Sequence, residues 1–298
     1  MSIASAITAA QGRVADCYTA ISTKGGTLPA TQNLANMPTA INSIPSGDSF
    51  IGIKREVVSG VYQLPTSSFS FSLPNGTTDV GQFGLYLAFQ NSTGITSADL
   101  SSLEAVSGQY GLAFAFAYCP NFINVDVSSL KDITGSKGAS GCFRETALTS
   151  LSFDSLETIS GSSAASDIVR QCTSLSSISF PKLKAISGGS TFYTGCYGCT
   201  ALTTISFPKL DIISGTHSFY YCFSVCTNLE SIYFNALTTT FGSGQVFDGL
   251  MSGTGNTKTH TIHFPSNLQS TISGLSGYPN FGGISGYVVL AFDLPATS

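Results

Sequence analysis

The sequence predicts a repeat solenoid, mainly β, and two observations support that fold class. Residues 174–188 read SLSSISFPKLKAISG and residues 201–215 read ALTTISFPKLDIISG, nearly the same stretch 27 positions later. Only 9% of the 298 residues are charged, against roughly 25% in an average soluble domain. Ser, Thr, Gly and Asn supply the polar residues instead, and this composition favours strands and turns over helices.

The repeat recurs along most of the chain. Each copy, called a rung below, has apolar residues 3 and 5 positions after its leading residue, which is apolar in six copies; five copies also have apolar residues 8 and 11 positions later, and six reach a glycine after 13. A period of this length is typical of stacked units that bury their apolar edges against one another. The apolar residues at positions 3 and 5 share one face of a short strand, and we expect the glycine to need positive φ. About seven rungs occupy residues 93–275, with leading residues Ile95, Phe122, Leu148, Leu175, Leu202, Leu229 and, less regularly, Thr259.

The repeat resembles a known family. Its pattern, C-x-x-L-x-x-I-x-F-P-x-L-x-x-I-x-G, is similar to the BspA-like leucine-rich repeats of bacterial surface proteins, and Cys172–Gly188 and Cys199–Gly215 carry it best. The copies here are longer, with extra Ser, Gly and Tyr between the glycine and the next cysteine. The resemblance implies a leucine-rich-repeat fold, but such repeats serve many binding roles, so it implies no particular ligand.

Most of the eight cysteines follow the repeat. Four of them stand three residues before a leading residue, the position that leucine-rich repeats fill with Asn or Cys to form an internal ladder, and three more fall near a second column. The sequence therefore favours free, buried thiols, although Cys196-Tyr-Gly-Cys199 also has the spacing of a zinc or redox site, and disulfides are a further alternative. The structural ladder consists of Cys119, Cys172, Cys199 and Cys226.

The N-terminal residues 1–48 predict a helical module for attachment or oligomerisation. Apolar residues follow heptad spacing, which fits either a coiled coil, such as a homotrimer, or a helical hairpin packed on its own chain. The segment TQNLANMPTAINSIPSG is similar to N-terminal segments of tail and fibre proteins of phages of Gram-positive gut bacteria, which implies contacts with other virion proteins through residues 1–48. The heptad positions are Ile3, Ile7, Ala10, Val14, Cys17 and Ile21.

Two further segments flank the array. Residues 49–92 alternate as strands do, in REVVSGVYQL, SFSFSL and FGLYLAF, with a turn signal at Pro74-Asn75-Gly76, and predict a small β unit that caps the first rung. Residues 276–298 contain YVVLAF, which predicts a last strand or C-terminal cap.

The sequence predicts neither catalytic residues nor a cofactor or metal site. His260 and His263 are three residues apart, so on a strand their side chains point to opposite faces and cannot share an ion. No nucleophile elbow, phosphate-binding loop or zinc-protease motif is present. The net charge of −4 without a Lys/Arg cluster argues against nucleic-acid binding, and no apolar run reaches the ~18 residues of a membrane span.

Binding surfaces are therefore the remaining candidates. The outward strand positions form a strip of hydroxyls with acids at one end, which is either a solvated sheet face or an extended binding face. Tyrosines between the glycine and the cysteine of each rung offer a second surface, with core packing as the alternative. The strip comprises Asp99, Asp126, Ser152, Ser179, Ser206, Tyr233 and His263, and the tyrosines are Tyr193, Tyr197, Tyr220 and Tyr221.

Two functions fit these features, neither of them enzymatic. The first is a phage tail or baseplate component, located in the virion, that presents the solenoid to a protein or glycan of the bacterial surface. The second is a BspA-like adhesin on the bacterial cell surface or outside the cell, which binds a host protein or glycan.

Overall fold

The computed structural model describes residues 56–58, 61–74, 76–238, 241, 245–255 and 257–297. These residues all lie within one compact unit, Ile53–Ser298. The predicted helical module of residues 1–48 lies outside the described residues, as does Cys17.

The described chain winds as a parallel β solenoid of about eight turns, in which two sides are sheets. Nine parallel strands stack along the first sheet, in three hydrogen-bonded groups, and five two-residue strands form the second. The first sheet contains β3 (Phe69–Ser72), β4 (Ile95–Asp99), β6 (Asn124–Asp126), β8 (Ser150–Ser152), β10 (Ser177–Ser179), β12 (Thr204–Ser206), β14 (Ser231–Tyr233), β15 (His260–Pro265) and β16 (Val288–Leu294). The second contains β5 (Ala105–Val106), β7 (Asp132–Ile133), β9 (Thr158–Ile159), β11 (Ala185–Ile186) and β13 (Ile212–Ile213).

Few other elements occur in the described part of the chain. An antiparallel pair, β1 (Glu56–Val58) and β2 (Val61–Gln63), precedes the solenoid. A single short helix, α1 (Gln269–Ser273), follows a 3₁₀ turn at Ser266–Leu268. Within the described ranges, no helix has the length and apolar character needed to cross a membrane.

The third side of the solenoid is built from turns instead of strands. Every second backbone N–H donates to a carbonyl of the next rung, as from Phe192 to Ser218 at 2.7 Å and from Thr194 to Tyr220 at 3.0 Å. The N–H groups in between donate to the carbonyl three residues back within the same rung, as from Tyr193 to Ser190 at 3.2 Å. We call this side the turn face, and it comprises residues 83–91, 110–118, 137–145, 163–171, 190–198, 217–225 and 246–253.

The backbone of the turn face is strained at regular intervals. Sixteen of its described non-glycine residues have positive φ, generally at every fourth position, as at Ser190 (54°) and Thr194 (50°). Such a conformation costs an L-residue roughly 1–2 kcal/mol, so the hydrogen bonds between rungs must offset it. The expectation of a strand at FGLYLAF is wrong, because Phe83–Phe89 belongs to this face.

The solenoid extends further than the repeat pattern indicates. Strand β3 pairs in parallel with β4, Asp79 bridges to Ala105, and Phe83 donates from the turn face to Gln109. Residues 69–92 therefore form a complete rung, although the sequence suggests a separate cap. At the other end β16 pairs in parallel with β15, so the last strand extends the first sheet.

The rung glycines are needed for close approach and not for positive φ, which corrects the expectation from sequence. None of Gly108, Gly135, Gly161, Gly188 and Gly215 is among the glycines with positive φ. A Cβ built on Gly188 would overlap the carbonyl oxygen of Gly161 in the preceding rung, and the other four meet the equivalent backbone. Successive rungs thus touch backbone to backbone at this corner.

Ladders of identical side chains fill the core. The strand phenylalanines stack from rung to rung, with ring centroids 5.2 Å apart for Phe153 and Phe180 and 5.3 Å for Phe207 and Phe234. The leading leucines, such as Leu175, are fully buried. Stacked rings add to the free energy gained from burying apolar area, so each rung is stabilised mainly by its two neighbours.

Candidate binding surfaces

The structure places the predicted hydroxyl strip along the outer face of the first sheet. The strand register aligns Asp99 with Asp126 and Ser152 with Ser179. It aligns Ser206 with Tyr233, and Tyr233 with His263, in the last part of the sheet. The seven side chains of the strip are exposed or half-buried.

Many polar groups of the strip bind to one another or to their own turns. Asp99 Oδ1 accepts bonds from the Oγ of Ser101 at 2.6 Å and from its backbone N at 3.0 Å, and these bonds lower the pKa of Asp99. The hydroxyls of Ser152 and Ser179 are 2.6 Å apart. Polar atoms satisfied in this way gain little from an added ligand.

The end of the strip is held rigidly. The rings of Tyr233 and His263 stack with centroids 4.2 Å apart and planes 9° apart. His263 Nδ1 lies 2.9 Å from Oδ1 of Asp293, a partner on β16 that the repeat pattern gives no reason to expect. The outcome is a fixed stack, with only 14% of the His263 side chain exposed.

The four ladder cysteines lie buried, one above another, beneath the turn face. Each thiol donates to a carbonyl of the preceding rung, as from Cys172 to Phe143 at 3.0 Å and from Cys199 to Val169 at 3.1 Å. Thr146 and Thr254 occupy the same column and donate their hydroxyls to carbonyls of their own rung. All seven described cysteines are free and buried.

Burial keeps these thiols protonated. It raises the pKa of Cys119 to about 11 and the pKa of Cys199 well above its ordinary value. The hydrogen bond with Cys222 and burial both raise the pKa of Cys196. A redox or metal site needs the thiolate, and no cluster among the described residues could hold a metal ion.

Three of the four predicted tyrosines come together on the turn face, and we call Tyr193, Tyr220 and Tyr221 the second platform. The rings of Tyr193 and Tyr220 stack with centroids 5.3 Å apart and planes 10° apart, and Tyr193 is 39% exposed. Tyr221 meets Tyr220 edge-on at 4.6 Å. Burial, aided by Tyr221 and Asp248, raises the pKa of Tyr220. Tyr197 instead carries the guanidinium of Arg170, 4.6 Å above its ring.

The structure also shows an aromatic cluster that the sequence interpretation missed, and we call Phe83, Tyr86 and Tyr110 the first platform. Phe83 and Tyr110 stack with centroids 5.5 Å apart and planes 7° apart, and Tyr86 tilts against both rings. Phe83 is 49% exposed and Tyr86 is 38% exposed. The sequence does indicate this cluster, because Phe83 and Tyr110 each stand two residues after a rung glycine and therefore occupy the same position in successive rungs.

Comparison with known proteins identifies the repeats. A family model described as "BspA type Leucine rich repeat region" matches six copies, at residues 39–169 and 139–274. A crystal structure of a leucine-rich repeat protein from Bacteroides ovatus ATCC 8483 matches with 15% sequence identity, covering 74% of each chain, at a TM-score of 0.21. A search of curated proteins found no match.

Proposed function

Because the chain belongs to the BspA-type leucine-rich repeat family, whose members are generally non-catalytic, we propose that it is a recognition protein that binds a glycan of a bacterial or host surface. The second platform supports this proposal most directly. Aromatic side chains exposed on a solvated protein surface lose contact with water when a partner covers them, and this favours binding.

The second platform has the chemistry that a sugar requires. The rings of Tyr193 and Tyr220 offer apolar surface to the C–H groups of a pyranose, and the tyrosine hydroxyls can exchange hydrogen bonds with its hydroxyls. The platform is also rigid, because hydrogen bonds to the next rung fix its backbone, so little entropy is lost on binding.

A glycan array followed by calorimetry with the best-bound glycan tests the proposal. We expect the double variant Tyr193→Ala/Tyr220→Ala to lose at least about tenfold in affinity, or about 1.4 kcal/mol, since it removes both stacked rings of the proposed contact surface. The matched control is Ser150→Ala/Ser177→Ala, two exposed hydroxyls of the first sheet. Unchanged affinity in the tyrosine variant would overturn the assignment of the site, and the absence of any bound glycan would overturn the proposed function.

The place where the protein acts is a separate part of the proposal. One setting is display on a phage tail, in which residues 1–48 would bind other virion proteins. The only support for this setting is the similarity of that segment to tail proteins. An adhesin on the bacterial cell surface is the alternative, and family membership favours it.

Solution mass by light scattering separates the two settings. A trimer for the full chain and a monomer for a chain that starts at Ser49 would support assembly through residues 1–48, as a fibre-like virion component requires. A monomer in both cases would contradict that role for the segment and favour the adhesin.

A further inference from the structure

The two platforms occupy equivalent positions of the repeat, with two rungs of the turn face between them. Two residues after the rung glycine stand Phe83 and Tyr110 at one end and His217 at the other. Five residues after it stand Tyr86 at the first platform and Tyr193 and Tyr220 at the second. Since hydrogen bonds between rungs keep these positions in register, both clusters face the same way.

The residues between the platforms are small or polar. In the two central rungs the equivalent positions carry Lys137 and Ser163 two residues after the glycine, and Ser140 and Ser166 five residues after it. Two rungs lie between the platforms, and Tyr86 and Tyr193 stand four rungs apart, which corresponds to about 19 Å at the usual spacing of stacked strands. An elongated, hydrophilic molecule with apolar faces at intervals fits this arrangement better than a compact apolar one.

The charges of the central rungs indicate the sign of the ligand. Arg144 pairs with Glu145 at 3.3 Å, and Arg170 with Asp167 at 3.2 Å. Lys137 has no carboxylate partner among the described residues, and its Nζ lies 5.4 Å from the centroid of the Tyr110 ring. This unpaired ammonium favours an acidic group of the ligand at the first platform, whereas Asp248, whose charge raises the pKa of Tyr220, favours neutral sugar units at the second.

We infer that the turn face is one extended site for a linear acidic polysaccharide, which runs along the solenoid axis across both platforms and places a carboxylate near Lys137. This inference rests on the proposed function, because it makes the second platform one half of a longer site. Contacts at both ends of one chain raise the effective concentration for the second contact, so long chains bind more tightly than short ones. A folded protein partner is the competing occupant, but it would need about 800 Å² of continuous contact, and polar rungs interrupt the apolar surface here.

The test measures how chain length affects binding in platform variants. The probes are polygalacturonate and hyaluronan, with cellulose-derived and chitin-derived chains as neutral counterparts, each as a polymer and as short oligosaccharides. The variants are Phe83→Ala/Tyr86→Ala, Tyr193→Ala/Tyr220→Ala and Lys137→Ala. Ile123→Ala is the matched control, because Ile123 is 57% exposed and lies beside β6, away from the turn face. Circular dichroism and melting temperature verify that each variant folds.

We expect an acidic polymer to bind at least about tenfold more tightly than its oligosaccharides. Either double variant should abolish that advantage, and Lys137→Ala should weaken binding of acidic chains while sparing neutral ones. If Phe83→Ala/Tyr86→Ala binds polymers like the wild type while Tyr193→Ala/Tyr220→Ala loses binding, the extended site is overturned and the proposed function survives. If none of these chains binds the intact protein, the extended site is overturned, and the glycan array alone decides the proposed function. A mass that doubles with concentration and returns to monomer in Phe83→Ala/Tyr86→Ala would assign the first platform to self-association instead.

Discussion

The first sheet and the turn face use the same 27-residue period to build opposite kinds of surface. On the sheet, ordinary strand pairing satisfies the backbone, and the outward hydroxyls bind one another, as Ser152 and Ser179 do at 2.6 Å. On the turn face, alternate N–H groups reach the next rung while regularly spaced residues hold positive φ. The face with the strained backbone is also the face that exposes stacked aromatic rings, as at Tyr193.

This difference predicts which substitutions lower the stability of the fold and which leave it unchanged. The turn face depends on close contacts beneath it, at the glycine corner and in the cysteine column, so we expect changes there to alter stability strongly. The strip lies over well-paired strands, so we expect changes there to alter little.

The largest effect should follow Gly188→Ala. The added methyl group would overlap the carbonyl oxygen of Gly161, and backbone contacts cannot yield as a flexible side chain can. We expect a loss of about 3 kcal/mol or more in the free energy of unfolding, measured by urea denaturation.

The neighbouring Gly189 provides the control. A Cβ there would have only the Thr216 hydroxyl nearby, at 3.3 Å. Because an alanine gives the unfolded chain fewer conformations than a glycine does, Gly189→Ala should raise the free energy of unfolding by about 0.4–1 kcal/mol where the backbone allows it. If Gly188→Ala has the same free energy of unfolding as the wild type, the rung glycines are not needed for close approach between successive rungs.

Much of the solenoid could be predicted from the sequence, because the strand positions recur in seven copies and the rung glycine in six of them. The turn face could not, since its positive φ falls on residues such as Tyr221 and Val225 that rarely adopt it alone. Hydrogen bonds from rung to rung enforce that conformation, and they are a tertiary effect without a local signal. For the same reason Tyr193 and Tyr220 could be selected as candidates, but their contact with Tyr221 could not be foreseen.

An intermediate effect should appear at alkaline pH. Burial raises the pKa of Cys119 from an ordinary value of 9.0 to about 11, so the unfolded chain loses this proton first. The stabilisation that Cys119 contributes is therefore fully present below pH 9. As the pH rises toward 11, the free energy of unfolding falls by about 1.4 kcal/mol per pH unit on account of this thiol.

The variant Cys119→Thr isolates that contribution. Threonine already occupies this column at Thr146 and Thr254, so the variant should fold and should lose less stability than the wild type between pH 9 and 11. Equal slopes of unfolding free energy against pH in the two proteins would contradict the assignment. Native thiol titration near pH 8 gives a second measurement, in which the seven buried thiols should react only after denaturation.

The smallest effect should follow Ser152→Ala/Ser179→Ala. The two hydroxyls bind each other, and the other partner of Ser152, the exposed Asp154 carboxylate, can bind water instead, so we expect a change within about 0.5 kcal/mol in unfolding free energy. Glycan affinity, measured by calorimetry, should stay at the wild-type value, because the strip lies on the first sheet and both platforms lie on the turn face. If the variant loses glycan binding while its stability is intact, the strip is the recognition surface, and the stacked tyrosines of the turn face serve only in packing.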